Sequence, residues 1–254
     1  MLGAIIGDLA GSIYEYDQVQ KTKPIKIKNL IEDNAFFSDD TILTIAVADA
    51  ILSNTDYESK LKEYGLKYEI YTPDFQPYFS HPFSPGFIKW IHDNKEGKST
   101  GNGAMMRVSP VGFLFDSVED VIKNARLSVT PSHSSPSSIQ HATTIALIIY
   151  YARQGLSKND IINKLNLKIK KPKITHFNLT CEDTIDLCLY SIFTSNSFKE
   201  SIAIAISFGG DTDTNACIVG SMAEAFYGIT EDIKKQALEK LPQGFVKILK
   251  KCGY

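Results

Sequence analysis

Phe208-Gly209-Gly210-Asp211-Thr212-Asp213-Thr214-Asn215-Ala216 is the stretch around which this 254-residue chain is organised. Its two glycines permit a sharp, closely approaching backbone, and two carboxylates then alternate with two hydroxyls. An apolar, helix-forming run follows over residues 216–226. Asp211 or Thr212 is a natural N-cap for that helix. A cap needs one side chain, however, and four oxygen-bearing side chains in a row make the donor set of a hard divalent cation such as Mg²⁺. Ser38-Asp39-Asp40-Thr41 repeats the arrangement directly before a second apolar run, residues 42–52. Asp and Thr are common helix caps, so either motif alone reads first as a cap. Doubling the charge at two helix starts is an odd way to cap them, because adjacent carboxylates repel. The pair therefore suggests two helix ends that meet around metal.

Composition narrows the class. Hydrophobic residues make up 43% and charged residues 22%, with a net charge of −2, as in a soluble globular protein. This charge leaves no electrostatic footprint for nucleic acid or an anionic membrane. No apolar run approaches the ~20 residues of a membrane span. The start, Met1 to Asp8, lacks the basic segment of a signal peptide. Cys181, Cys188, Cys217 and Cys252 form no C-x-x-C pair, and the first three fall in apolar helical patterns. They read as thiols of a reducing, cytoplasmic setting.

Hydrophobic periodicity and cap residues predict helices near residues 2–14, 38–53, 57–68, 118–128, 137–153, 157–165, 180–193, 198–207, 216–227, 230–238 and 242–250. Another begins at Ser84-Pro85-Gly86. With no alternating strand pattern, linker or repeat, the expectation is an all-α fold: one compact multi-helix domain spanning 1–254. Gly3, Gly7 and Gly11 recur every four residues and lie near one helix face, where another element approaches closely. That packing leaves Asp8 and Glu15 among them without an explanation. Residues 16–34 read as a lysine-rich loop or short edge strand, and 166–177 as a solvated basic connection. Phe75, Tyr78 and Phe79 sit in an aromatic loop that reads equally as a stacking platform for a planar ligand and as a self-packed Ω-loop. Gly101-Asn102-Gly103 opens a helix; its amides suit a phosphate, with a plain turn as the default reading. His133, in a Ser- and Pro-rich loop, reads first as structural and second as a ligand contact.

Together these pieces resemble the ADP-ribosylglycohydrolases. They are Gly7-Asp8 with Gly11-Ser12 and Glu15, Ser38-Asp39-Asp40-Thr41, Gly101-Asn102-Gly103 through Arg107, His133-Ser134-Ser135, and Gly209-Gly210-Asp211-Thr212-Asp213-Thr214. The resemblance runs nearly end to end and implies an all-helical fold with two metal ions, Mg²⁺ or Mn²⁺, in a central cleft. It carries the metal ligands onto Ser38, Asp39, Asp40, Asp211, Asp213 and Thr214, with Ser38 standing where several members have Thr. Glu15 falls on the gating or catalytic glutamate of the serine-directed members, which share the pattern Gly-Ser-x-Tyr-Glu. Ser99, Thr100, Gly101 and Asn102 fall on residues that hold the diphosphate and distal ribose, although some members carry Tyr at Thr100. His133 falls at the adenosine end, and Gly86 near a glycine lining the same cleft.

What this implies is a metal-dependent hydrolase acting at the anomeric carbon of ADP-ribose conjugates on protein side chains or related acceptors. Catalysis is assigned to Glu15, Asp40 and Asp211, and substrate binding to Gly86, Ser99, Thr100, Gly101, Asn102, Gly103 and His133. The expected partners are ADP-ribose and an ADP-ribosylated protein or small molecule, with nucleic acid entering only as an ADP-ribosylated end. The chain is expected to act as a monomer away from membranes. Two other readings use the same residues: Mg²⁺-dependent phosphoester hydrolysis on a nucleotide, and ADP-ribose binding without catalysis.

Overall fold

Helix starts in this protein are set mostly by hydroxyl and carboxylate caps. The computed structural model describes residues 1–18, 26–73, 81–93 and 97–254. Among these it forms α1 (Leu2–Gln18), α2 (Asp39–Ser53), α3 (Tyr57–Tyr68), α4 (Pro85–His92), α5 (Gly103–Met106), α6 (Ser109–Leu114) and α7 (Val118–Val129). The chain continues through α8 (Pro136–Arg153), α9 (Lys158–Leu165), α10 (Cys181–Thr194), α11 (Phe198–Ser207), α12 (Thr212–Tyr227), α13 (Glu231–Glu239) and α14 (Gln243–Lys251). Ser38, Asp56, Ser84, Ser117, Ser135, Ser157, Thr180 and Ser197 each accept a hydrogen bond from a backbone N–H of the first turn they precede. The all-α expectation holds, with no strand and only isolated bridges among the described residues.

Two helices carry the architecture. α12 is buried over residues 212–223. α1 lies against it along the glycine seam. A Cβ on Gly3, Gly7 or Gly11 would stand 2.2, 2.0 or 2.3 Å from the carbonyl oxygen of Gly220, Ala216 or Thr212. No side chain fits in such a gap, so the two backbones touch. Continuing the four-residue step brings Glu15 one turn further, beside the loop that starts α12. α2 is apolar on every side and packs among α1, α3, α6 and α14. α8 is sandwiched between α7, α6 and α12. The shorter amphipathic helices α7, α9, α13 and α14 cover the outside.

Some local expectations change. α1 runs to Gln18, past its expected end. Residues 26–34 bend without forming an edge strand, with Leu30 buried. α6 was not expected: it is six residues long, and Val108 at its N-cap offers no side-chain bond, which leaves Pro110 in its first turn as the one local start signal. Phe75, Tyr78 and Phe79 lie outside the described residues. All four cysteines are free thiols, three of them buried. No helix among the described residues is long and apolar enough to cross a membrane.

Candidate active site

The N-termini of α2 and α12 meet, and Asp8 organises the first of them. It is fully buried in α1 and accepts from Ser38 N–H at 2.9 Å and Ser38 Oγ at 2.8 Å. It also accepts from Thr41 N–H at 3.1 Å and Thr41 Oγ1 at 2.5 Å. Burial pushes its pKa up to about 6, against the pull of these donors. Across the gap, Thr214 Oγ1 donates to Asp40 Oδ2 at 3.2 Å, which ties the two helix starts together. The other oxygen, Asp40 Oδ1, is buried without a hydrogen-bond partner among the described residues.

The loop into α12 is shaped by two glycines in the left-handed region, Gly209 at φ 74° and Gly210 at φ 77°. Asn178 clamps it. Its Oδ1 accepts from Asp211 N–H at 3.1 Å and Asn215 Nδ2 at 3.3 Å, while its Nδ2 donates to Thr184 Oγ1 and Asn215 Oδ1. A Cβ on Gly210 would sit 2.2 Å from that Oδ1. Asp211 occupies the N-cap position, yet its side chain caps nothing. It accepts instead from Asn102 Nδ2 at 2.6 Å. Thr212, the other expected cap, donates to Gly11 O.

The result is a dense acidic centre. Asp8, Asp40 and Asp213 each place a carboxylate oxygen within 4.8 Å of the others, and so do Glu15, Asp211 and Asp213. Asp213 belongs to both groups. Asp39 lines the same space half-buried but joins neither group. Burial, then mutual repulsion, raises Glu15, Asp39, Asp40 and Asp213 well above the ordinary carboxylate range. Burial pushes Asp211 up to about 7, against hydrogen bonds from Asp213 and Asn102. Carboxylates so crowded need protons or a counter-charge. An all-oxygen donor set, an orphaned buried carboxylate oxygen and two converging helix N-termini fit hard divalent cations, with the anionic groups also favoured by the helix dipoles.

Residues of this centre line a cavity of ≈ 790 Å³. Glu15, Ser38, Asp39, Asp211, Asp213 and Thr214 line it, as do Gly86, Ser99, Thr100, Gly101, Asn102, Gly103 and His133. Asp40 lies behind this wall. Gly86, at the start of α4, has open space on its Cβ side. The glycine loop differs from the expected amide cradle. Gly101 N–H donates to Ser99 Oγ at 3.1 Å and Asn102 N–H to Leu179 O at 2.9 Å, so both amides are engaged. The loop is strapped to the chain ahead of α10, where Cys181 N–H donates to Thr100 O. Asn102 turns its side chain to Asp211 and Asn178 O.

Arg107 also lines the cavity; it is fully buried, and burial lowers its pKa to about 10 against the pull of Asp39, which leaves it cationic at neutral pH. His133 is buried beside it, and burial followed by the Arg107 charge holds the imidazole well below its usual pKa and neutral. The cavity wall therefore carries both signs of charge: a cluster of carboxylates and one buried cation, Arg107, that Asp39 feels. The sequence reading assigned no role to Asp8, Asn178 or Arg107. A lone carboxylate within the buried face of α1 was a legible signal for Asp8. Asn178 sits in an irregular segment and carried none.

The sequence model of the ADP-ribosylglycohydrolase family matches residues 1–251. Similar proteins include ADP-ribosylhydrolase ARH3 of Homo sapiens, 22% identical with 91% of this chain and 85% of that protein aligned. ADP-ribosylarginine hydrolase Tri1 of Serratia proteamaculans is also 22% identical, with 96% and 74% aligned. A solved structure of an ADP-ribosylglycohydrolase-related protein complex shares the fold, with a TM-score of 0.74 at 17% identity over 100% of this chain and 96% of that one. With its two helix starts, acidic centre and family match covering almost every residue, the chain belongs to the ADP-ribosylglycohydrolase family.

Proposed function

We propose that this protein is a divalent-cation-dependent hydrolase that cleaves the bond at the anomeric carbon of ADP-ribose conjugates and releases free ADP-ribose. The observation that carries the reading is the pair of carboxylate groups sharing Asp213, which lines the cavity. Family membership supports it, as do relatives named for hydrolysis of ADP-ribosyl and ADP-ribosylarginine groups.

On this reading Ser38, Asp39, Asp40, Asp211, Asp213 and Thr214 hold two cations, Mg²⁺ or Mn²⁺, with Asp8 and Glu15 adjoining. Bound there, the cations supply Lewis acidity toward the ribose hydroxyls and the attacking water. The chain's own carboxylates surround the anomeric carbon with negative charge as its bond to the acceptor breaks and positive charge develops on the ribose. Glu15 lies at the cavity wall beside Asp211 and Asp213. Its Oε carries a proton between water and acceptor: the water oxygen bonds to the anomeric carbon, and the acceptor atom leaves with a proton. Asn102 holds Asp211 in place. Ser99, Thr100, Gly101 and Gly103 form the wall for the diphosphate and distal ribose, with Gly86 and His133 further along the cleft. Residues 1–254 act as one domain and as a monomer, in a reducing cytoplasm where free thiols persist.

The test is release of free ADP-ribose from matched ADP-ribosyl-arginine and ADP-ribosyl-serine peptides, with Mg²⁺ and again with EDTA. EDTA-sensitive release from one of them supports the reading and names the linkage. Phosphate release would overturn it in favour of a phosphoester hydrolase, and ADP-ribose binding with no turnover of either peptide would point to another conjugate or to a binding protein.

A further inference from the structure

Three buried polar residues, Arg107, Ser132 and His133, form a hydrogen-bonded chain at the cavity wall. Arg107 Nη2 donates to Ser132 Oγ at 2.5 Å. Ser132 Oγ lies 2.8 Å from His133 Nδ1. Ser132 is 3% and His133 5% exposed, so neither exchanges these contacts freely with solvent. The far ring nitrogen, His133 Nε2, has no hydrogen-bond partner among the described residues and faces the glycine loop where His133 lines the cavity. A Cβ on Gly101 or Gly103 would stand 3.6 or 3.5 Å from it.

Proton counting orders this chain. A guanidinium only donates, so Ser132 Oγ must accept from Arg107. The serine hydroxyl has one proton, and the only remaining acceptor within reach among the described residues is His133 Nδ1. If Nδ1 instead carried a proton, the serine would accept twice and bury its own O–H without a partner, at a cost of about 1–3 kcal/mol. That tautomer would also turn an N–H dipole toward the Arg107 cation. Both penalties favour a neutral ring with an unprotonated Nδ1.

We infer that Arg107 and Ser132 are positioning residues that fix His133 as the Nε2–H tautomer, making the ring a permanent hydrogen-bond donor into the cavity for an oxygen acceptor such as a phosphate or sugar oxygen. The choice of ligand class rests on the proposed action on ADP-ribose; the tautomer itself does not. A ring held in this way selects an acceptor and disfavours a cationic or donor group at that place. With Nδ1 accepting from Ser132 and Nε2 already protonated, the ring has no free nitrogen to take a proton, which leaves the proton carrier's role to the carboxylates.

The experiment is ring ¹⁵N NMR of the full chain, in which His133→Gln assigns the His133 signal by its loss. The expected wild-type spectrum shows neutral His133 with Nε2 protonated. Ser132→Ala is expected to shift population toward the Nδ1–H form and weaken ADP-ribose binding about tenfold. Ser132→Thr, which keeps the hydroxyl, is expected to restore both. A charged or Nδ1-protonated ring in the wild type overturns the inference, as does an unchanged spectrum in Ser132→Ala. If the tautomer is as expected and wild-type protein fails to bind ADP-ribose, the relay stands and the proposed substrate class falls.

Discussion

Asn102 and Asp211, separated by 109 positions, are joined by a 2.6 Å hydrogen bond from the amide Nδ2 to the carboxylate Oδ2. That bond couples the glycine loop to the acidic centre. Hydrogen bonds to ionised groups contribute about 1.5–3 kcal/mol. Asn102→Ala should therefore lower kcat for ADP-ribose release about 10- to 100-fold, with a smaller change in KM. Steady-state kinetics on the reactive peptide check this. A raised KM at unchanged kcat would instead place Asn102 in ground-state substrate binding.

Glu15 continues the Gly3-Gly7-Gly11 face of α1 to the start of α12, where it meets Asp211 and Asp213. Loss of a positioned proton carrier typically costs about 10²–10⁴ in rate. Glu15→Gln should show that loss in single-turnover measurements while ADP-ribose affinity changes little. A fall in affinity at unchanged rate would make Glu15 a binding residue.

The glycine seam and the cleft glycine should respond oppositely to a methyl group. In Gly7→Ala the new Cβ would stand 2.0 Å from Ala216 O. The helices must part, destabilising the protein by about 3 kcal/mol or preventing folding. Gly86→Ala meets nothing within 4 Å, so its stability should hold or rise by about 0.5 kcal/mol. Urea denaturation of the two variants gives the comparison.

Without cations the acidic centre should make stability fall as pH rises. Asp8, Glu15, Asp39, Asp40, Asp211 and Asp213 all titrate above their ordinary range in the fold, against about 4 when unfolded. Between those values the folded state binds more protons. Stability is thus full below about pH 4 and is lost as pH climbs through about 6 for Asp8 and about 7 for Asp211. His133, below about pH 6.5, and the buried Met1 amine, lowered to about 6, work the other way, as two groups against these six carboxylates. The Tm of EDTA-treated protein should drop between pH 5 and 8, and Mg²⁺ or Mn²⁺ should restore it at pH 8. A Tm that rises over this range would contradict the picture.

Much of the helical frame was legible because its signals are local. Ser84, Ser117, Ser157, Thr180 and Ser197 announce starts that the backbone uses. The four-residue glycine step announced a close contact without naming α12 as its partner. α6 escaped because it is short and begins without a cap. At the site, the doubled carboxylates of Ser38-Asp39-Asp40 and Asp211-Thr212-Asp213 marked the helix ends that meet. What the sequence concealed was long-range. Asn178 clamps the Asp211 loop from an irregular segment. Asn102 turns to Asp211, and the loop's strap to Leu179 engages an amide that local reading left free for phosphate.

Asp213 alone belongs to both carboxylate groups, so counting bound Mn²⁺ by electron paramagnetic resonance, beside ADP-ribose release, tests the central claim most directly. Two ions are expected in the wild type, loss of one in Asp40→Asn and in Asp211→Asn, and loss of both in Asp213→Asn, with turnover abolished in that variant. Two ions still bound by Asp213→Asn, or undiminished ADP-ribose release from wild-type protein stripped of cations, would contradict it.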